Sequence, residues 1–304
     1  MIKYQDNNVI YANNYMILLT GATGFLGSHL LKKLDKEKIK YQALVRNKNF
    51  KNRNFIYGNL LNEESLKKIR DPIDTVIHLA AVIDEEDKNL FRVNVDGTKK
   101  LIDLAEKLKV KKFIFLSSAL VNFKDIDTPY VRSKKEGEKI VRSSNLPWII
   151  LRPTQMYGSG DKRNFGWIFS FIKKSPIVPI FFGDLFLQPV YVGDIVDAIL
   201  SCLDNKISEK KIYNLGGPEL LKLGEIEELI IKKINKPKIK ICLPDTFLKI
   251  LLNIKDFSPS FLRKKLTVLS KFKKISFIEY KKAEDELGFK PINFRKGLDS
   301  IVKF

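Results

Sequence analysis

The stretch MILLTGATGFLGSHLLKKL, Met16 to Leu34, decides the fold by the order of its parts. MILLT is a short apolar run of the kind that forms a fully buried strand. Gly21, Gly24 and Gly27 come next, and FLGSHLLKKLD carries the apolar spacing of a helix. A pyrophosphate can approach a backbone only where side chains are absent, and the amino end of a helix offers it N–H donors and a positive partial charge. A glycine triplet alone often does no more than join two elements. Set between the first strand and the first helix, it predicts a dinucleotide site.

The same alternation continues outward. YQALVR (41–46) and NFIYGN (54–59) read as strands, and NEESLKKIR as a helix capped by Asn62. DTVIHLAA (74–81), KKFIFLSS (111–118) and WIILRP (148–153) are further buried strands. Helices through NVDGTKKLIDLAEKL and TPYVRSKKEGEKIVRSS separate them. Strands alternating with helices imply an α/β fold, a doubly wound parallel sheet of the Rossmann type. After Pro153 the elements shorten, and Gly, Pro and aromatic residues become frequent. QPVYVGDIVDAILSCL reads as a strand running into a helix, and KIYNLGG as one more strand. The expected organisation is an N-terminal extension over 1–15 and a dinucleotide-binding domain over 16–155, to which 188–215 return. Residues 156–187 and 216–304 would form a smaller, mainly helical C-terminal substrate lobe. That lobe is expected over the carboxyl edge of the sheet, where open α/β sheets take their ligands.

Composition narrows the class. With 304 residues, 44% hydrophobic and 30% charged, the chain suits an ordinary globular protein of one large domain or two unequal lobes. No apolar run nears the roughly 20 residues of a membrane span, and the polar, Asn-rich start is unlike a signal peptide. Cys202 and Cys242 stand far apart without ligand-like neighbours, and His29 and His78 are the only histidines. Neither a disulfide framework nor a metal site is expected, and a reducing cytoplasm suits this composition. The 55 Lys+Arg against 35 Asp+Glu give a net charge of +20, which reads as a lysine-rich surface. No helix-turn-helix, zinc finger or aromatic platform accompanies it, so no specific nucleic-acid partner is expected. The basic, apolar FLKILLNIKDFSPSFLRKKL (247–266) reads either as a peripheral membrane contact or as a lobe helix over the substrate.

Beyond the second strand an NAD site shows Asp or Glu for the ribose 2′-hydroxyl. Arg46-Asn47-Lys48 stands there instead, and its charge suits a 2′-phosphate, so NADP is favoured over NAD. YVRSKKEGE (130–138) then sets a lysine four residues after a tyrosine. Tyrosine, with a free pKa of about 10, is a poor acid or base at neutral pH, and a nearby ammonium lowers that value by stabilising the phenolate. On a helix this spacing puts Tyr130 and Lys134 on one face, and Thr128 with Pro129 starts the helix just before them. Of the ten tyrosines only Tyr130 has such a lysine. Ser117 and Ser118, ending the preceding strand, can reach the same place and hold a substrate oxygen.

Taken together, TGATGFLG, HLAA, NVDGT, LSS, YxxSKxxGE, LRPTQMYGSGD, PVYVGDIVDAI and YNLGGPE give the chain a likeness running from Met16 to its C-terminus. It resembles the extended short-chain dehydrogenase/reductases, the NAD-dependent epimerase/dehydratase group. The resemblance implies Tyr130 as general acid/base, with Lys134 lowering its pKa and holding the nicotinamide ribose. Ser118 would orient and polarise the substrate oxygen, and Asn94 would support a proton relay. Thr23, Gly24, Phe25 and Leu26 would contact the pyrophosphate, and Asn59 and Leu60 the adenine. Leu79, Ala80 and Ala81 would meet the middle of the cofactor, and Pro153 and Thr154 the nicotinamide.

Two positions depart from the family pattern. Asn59 stands where the family carries an adenine-contacting Asp. Gln188-Pro189 stands where nucleotide-sugar enzymes usually carry Arg-Asp, and these two residues cannot make a bidentate phosphate clamp. QPVYV is more similar to the branch of dihydroflavonol-reductase-like and hydroxysteroid-dehydrogenase-like enzymes and of proteins similar to a complex I accessory subunit. The implied activity moves a hydride between NAD(P) and a secondary alcohol or keto carbon of a small-molecule substrate, either a sugar derivative or a small ketone. The alternative is a cofactor-binding structural or assembly protein. The two-helix packing common in the family makes a homodimer a further expectation.

Overall fold

Each long apolar run of the first half becomes a strand of one sheet. The computed structural model describes residues 3–5, 8–10, 15–69, 72–162, 165–204, 207, 209–244, 246, 250 and 276–301. Within the N-terminal extension, β1 (Lys3–Gln5) and β2 (Asn8–Ile10) pair antiparallel. The first βα unit is β3 (Met16–Thr20), the glycine turn and α1 (Phe25–Lys36). There follow β4 (Lys40–Val45), β5 (Phe55–Tyr57), α2 (Glu63–Leu66), β6 (Thr75–His78), α3 (Gly97–Lys107) and β7 (Lys112–Leu116). Next come α4 (Pro129–Ser143), β8 (Trp148–Pro153), β9 (Gln155–Tyr157), α5 (Phe165–Lys174), β10 (Ile177–Phe182) and β11 (Phe186–Leu187). The chain continues through β12 (Pro189–Tyr191), α6 (Val192–Ser201), β13 (Lys211–Leu215), β14 (Leu221–Lys222) and α7 (Leu223–Ile234). Last among the described elements are β15 (Ile239–Pro244), α8 (Lys281–Leu287) and α9 (Phe294–Asp299).

Seven strands form a parallel sheet in the order β13-β8-β7-β6-β3-β4-β5. The order runs outward both ways from β3, which pairs with β4 on one side and β6 on the other. Since every strand points the same way, the segments after β3, β6, β7 and β8 all leave from one edge, with the topological switch point between β3 and β6. β6 and β7 are buried along their whole length, which is why the centre of TVIH and the FIFL of KFIFL are apolar without alternation. Leu18, Val76, Phe113 and Ile150 of the sheet share a core with Leu101 and Ala105 of α3 and Val141 of α4. Burying each of the Val, Leu, Ile and Phe side chains among them contributes roughly 1.5–3 kcal/mol.

The caps read from the sequence are present. The Asn62 side chain accepts from the N–H groups of Glu64 and Ser65, although α2 ends after four residues. Thr128 accepts from Val131 N, with Pro129 at the first helical position of α4. A π-turn at Arg92–Asp96 precedes α3 where the pattern suggested only ordinary helix, and it carries Asn94.

The chain divides into two compact units. One comprises Met1–Pro153, Gly193–Leu215 and Tyr280–Phe289, and the other Thr154–Val192, Gly216–Glu279 and Lys290–Phe304. Residues 188–192 thus group with the second unit, and 280–289 with the first. The second unit carries α5, α7 and α9 together with three two-stranded pairings, β9 with β12, β10 with β15 and β11 with β14. Tyr157, Phe165 and Phe294 meet in it with ring centroids 4.8, 5.6 and 5.9 Å apart. Apart from Ile250, the stretch 247–266 lies outside the described residues. Among the described residues no helix is long and apolar enough to cross a membrane.

Candidate active site

The glycine turn is built so that backbone packs on backbone. Gly21 sits at φ +76°, and a Cβ there would lie 2.6 Å from Ala80 N and 2.7 Å from the Leu79 carbonyl carbon. A Cβ on Gly27 would come within 2.1 Å of Gly21 O. Gly24 differs: a Cβ would meet only Gly21 O, at 3.2 Å, so its outer side is open. Its N–H closes the turn onto Gly21 O at 3.0 Å. No side chain caps α1, and its first turn carries no acidic residue. The positive end of the helix and its leading N–H groups are therefore presented to an anion, as a pyrophosphate requires.

Beside this turn runs a buried chain of hydrogen bonds. Thr20 Oγ1 lies 2.7 Å from His78 Nδ1, and His78 Nε2 lies 3.0 Å from Thr98 Oγ1. Thr98 spends its own proton on the Asn94 carbonyl at 2.7 Å, so it accepts from Nε2–H, and Nδ1 accepts from Thr20. Burial and the Lys134 charge push the His78 pKa down to about 3, which keeps the ring neutral and fits this tautomer. The Asn94 amide accepts from Val82 N at 2.7 Å and donates to Val82 O at 2.8 Å and to Ser133 Oγ at 2.9 Å. Ser133 Oγ donates in turn to the Tyr130 carbonyl at 2.7 Å. Asn94 thus ties the loop after β6 to the first turn of α4.

Helix α4 carries both Tyr130 and Lys134. Lys134 is buried, donates to Leu116 O at 2.7 Å and lies 4.9 Å from the centroid of the Phe115 ring. Burial pulls its pKa down to about 8, against the Glu138 charge, which raises it. Ser118 lies two residues past that strand end, and its Oγ accepts from Leu120 N at 3.3 Å, leaving the hydroxyl proton to donate elsewhere. The buried hydroxyls of Ser117 and Thr154 have no hydrogen-bond partner among the described residues. Pro153 ends β8, beside β7 in the sheet.

At the other end of the sheet edge, Arg46 and Lys48 are exposed just after β4. Asn59 is exposed and Leu60 buried, with Asn59 Oδ1 accepting from Leu61 N at 3.0 Å. Thr23 is exposed, Phe25 half-buried and Leu26 buried in the glycine turn, and Leu79, Ala80 and Ala81 are half-buried after β6. Among the described residues no cluster of His, Cys, Asp and Glu could hold a metal ion. Gln188 is fully buried. Its Nε2 donates to Gly217 O at 2.8 Å and Ile278 O at 3.0 Å, and its Oε1 accepts from Ile278 N at 2.8 Å. Its amide is spent on holding the chain to itself.

Thr20, His78, Thr98 and Ser133 all lie in the motifs quoted above, but the motifs assign them no role. The available signal was a threonine and a histidine ending the otherwise apolar strands MILLT and TVIH, where burial forces polar groups to find partners.

The profile of the NAD dependent epimerase/dehydratase family matches residues 17–216. A UDP-glucose 4-epimerase of Vibrio cholerae is 29% identical over 259 residues, 75% of this chain and 78% of that protein. A ceramide reductase of Caulobacter vibrioides is 28% identical over 186 residues, 59% of this chain and 58% of that protein. The crystal structure of a UDP-glucose 4-epimerase from Thermus thermophilus, in complex with NAD, shares the fold with a TM-score of 0.72 at 21% identity. The match covers 94% of this chain and 97% of that one. With the glycine turn, the switch-point edge and the family profile in agreement, the chain belongs to the NAD-dependent epimerase/dehydratase family of extended short-chain dehydrogenase/reductases.

Proposed function

We propose that the protein is an NADP-preferring oxidoreductase or epimerase that acts on a secondary alcohol or keto carbon, with Tyr130 as general acid/base. The observation that carries this reading is Lys134, buried against the carboxyl end of β7 and one helical turn from Tyr130. When bound, the nicotinamide ring supplies hydride donation and acceptance. The residues of this chain do the remaining work. The amino end of α1 would hold the pyrophosphate, and Arg46, exposed just after β4, would supply charge for a 2′-phosphate. Ser118 donates its hydroxyl proton to the substrate oxygen and polarises it. Tyr130 gives or takes the proton at that oxygen, and the Lys134 ammonium favours the phenolate. Lys134 would also hold the nicotinamide ribose, and Asn94 fixes the Tyr130 turn through Ser133.

The two relatives named above act, by their names, on a sugar nucleotide and on a ceramide. The spent amide of Gln188 supports a substrate that is not gripped by its diphosphate at that position. The test combines two measurements. Mass spectrometry of ligand co-purifying with the protein identifies the substrate, and Tyr130→Phe is then assayed on it. The variant is expected to bind NADPH like the wild type and to lose about 10²–10⁴-fold in turnover. Turnover that survives the substitution removes Tyr130 from its role, and failure of the wild type to bind NADPH or NADH removes the cofactor reading.

A further inference from the structure

Glu138 stands four residues after Lys134 on α4, the spacing at which a lysine and a glutamate on one helix pair with each other. Both oxygens of Glu138 turn instead to Arg152 of β8. Arg152 Nε donates to Oε1 at 2.8 Å and Nη2 to Oε2 at 2.5 Å. Its remaining nitrogen, Nη1, donates to Asn122 Oδ1 at 2.7 Å, and Asn122 Nδ2 donates to Asn214 Oδ1 at 3.0 Å. Asn122 ends the short 3-10 turn Ala119–Asn122, which the Ser118 hydroxyl caps. Glu138 is 5% exposed and the Arg152 side chain 18%, so the forked pair is poorly screened by water.

We propose that Arg152 is a positioning residue for the reaction. By occupying both oxygens of Glu138 it keeps that carboxylate from Lys134, and by holding Asn122 it fixes the turn that carries Ser118. The proposal rests on Lys134 as the partner of Tyr130. The titratable and charged groups around Lys134 are Tyr130 and Glu138 on α4, the neutral His78 on β6 and, beyond Glu138, Arg152 on β8. Removing the Arg152 charge leaves Glu138 to act on Lys134 at full strength and raises the lysine pKa. Removing the Glu138 charge leaves the guanidinium facing the ammonium and lowers it.

The experiment titrates protein carrying ε-¹³C-lysine by NMR. The Lys134 resonance is the one with a midpoint near 8 that disappears in Lys134→Arg, a control needed because burial lowers Lys112 as well. The midpoint is expected to rise by about one pH unit in Arg152→Met, to fall in Glu138→Gln, and to return close to wild type in the double variant. A neutral pair is commonly tolerated in a buried site, so the double variant is the one expected to fold if a single one does not. Should Arg152→Met not fold, Arg152→Lys keeps the charge without the fork, and its rise should be smaller. Midpoints that stay in place, or that move in the same direction in both single variants, overturn the proposal. The pH profile of turnover separates this from the reading beneath it. If the midpoints move as expected and the profile does not, Arg152 controls Glu138 but Lys134 is not the partner of Tyr130.

Discussion

Buried polar side chains are used differently in the two units. In the second, the Gln188 amide has a protein partner for each N–H and for its oxygen. In the first, Lys134 donates to the Leu116 carbonyl, the Ser118 hydroxyl accepts without spending its proton, and the Ser117 hydroxyl has no partner among the described residues. A buried polar group left short of partners costs roughly 1–3 kcal/mol, so a fold keeps several together only where something else is gained. The contrast separates a fastening from a set of groups with hydrogen-bonding capacity to spare. Gln188 holds chain to chain, and the cluster at the end of β7 has polar capacity to offer a ligand.

The strongest way to break that contrast is Gln188→Leu. It strands two carbonyls and one N–H in the interior, and denaturant unfolding should show a loss of roughly 3–5 kcal/mol with NADPH affinity unchanged. A loss under about 1 kcal/mol would mean that Gln188 is not the fastening described here.

Glu227 sharpens the comparison, because among the described residues it is, with the unpartnered Thr154 hydroxyl, an under-paired buried group of the second unit. It is buried on α7, its Oε2 accepts from Phe181 N at 3.1 Å, and burial pushes its pKa up to about 8. Between pH 4.5, its ordinary value, and about 8 the folded protein keeps a proton that the unfolded chain has released. Stability therefore falls as pH rises through that window and levels off above it. Glu227→Gln should remove this slope and raise stability at alkaline pH by on the order of 3 kcal/mol, read from melting temperatures across the range. An unchanged slope would place the proton elsewhere.

The parts legible in the sequence are those encoded locally. Strands of a parallel sheet are buried on both faces and so appear as unbroken apolar runs. Gly21 is required by its own φ of +76° and by the Ala80 backbone pressed against it. Tyr130 and Lys134 are four residues apart on one helix, and Ser118 sits at a strand end. What escaped reading depends on side chains that the sheet brings together from afar. Thr20 meets His78 only because β3 pairs with β6, and Asn94 meets Ser133 across two helical segments. Gln188 was legible as the absence of a phosphate clamp. Its positive role needed Ile278, 90 residues away, and no local pattern announces such a partner.

The central claim is hydride exchange at a secondary alcohol or keto carbon with Tyr130 moving the proton. Its most direct test uses reduced cofactor deuterated at the hydride-donating carbon, incubated with the keto form of the co-purifying ligand and either the wild-type protein or Tyr130→Phe. The account predicts deuterium on the carbinol carbon of the product with the wild type, and transfer slower by about 10²–10⁴-fold with the variant. A wild-type protein that binds the labelled cofactor and ligand yet leaves no deuterium in the product would contradict it.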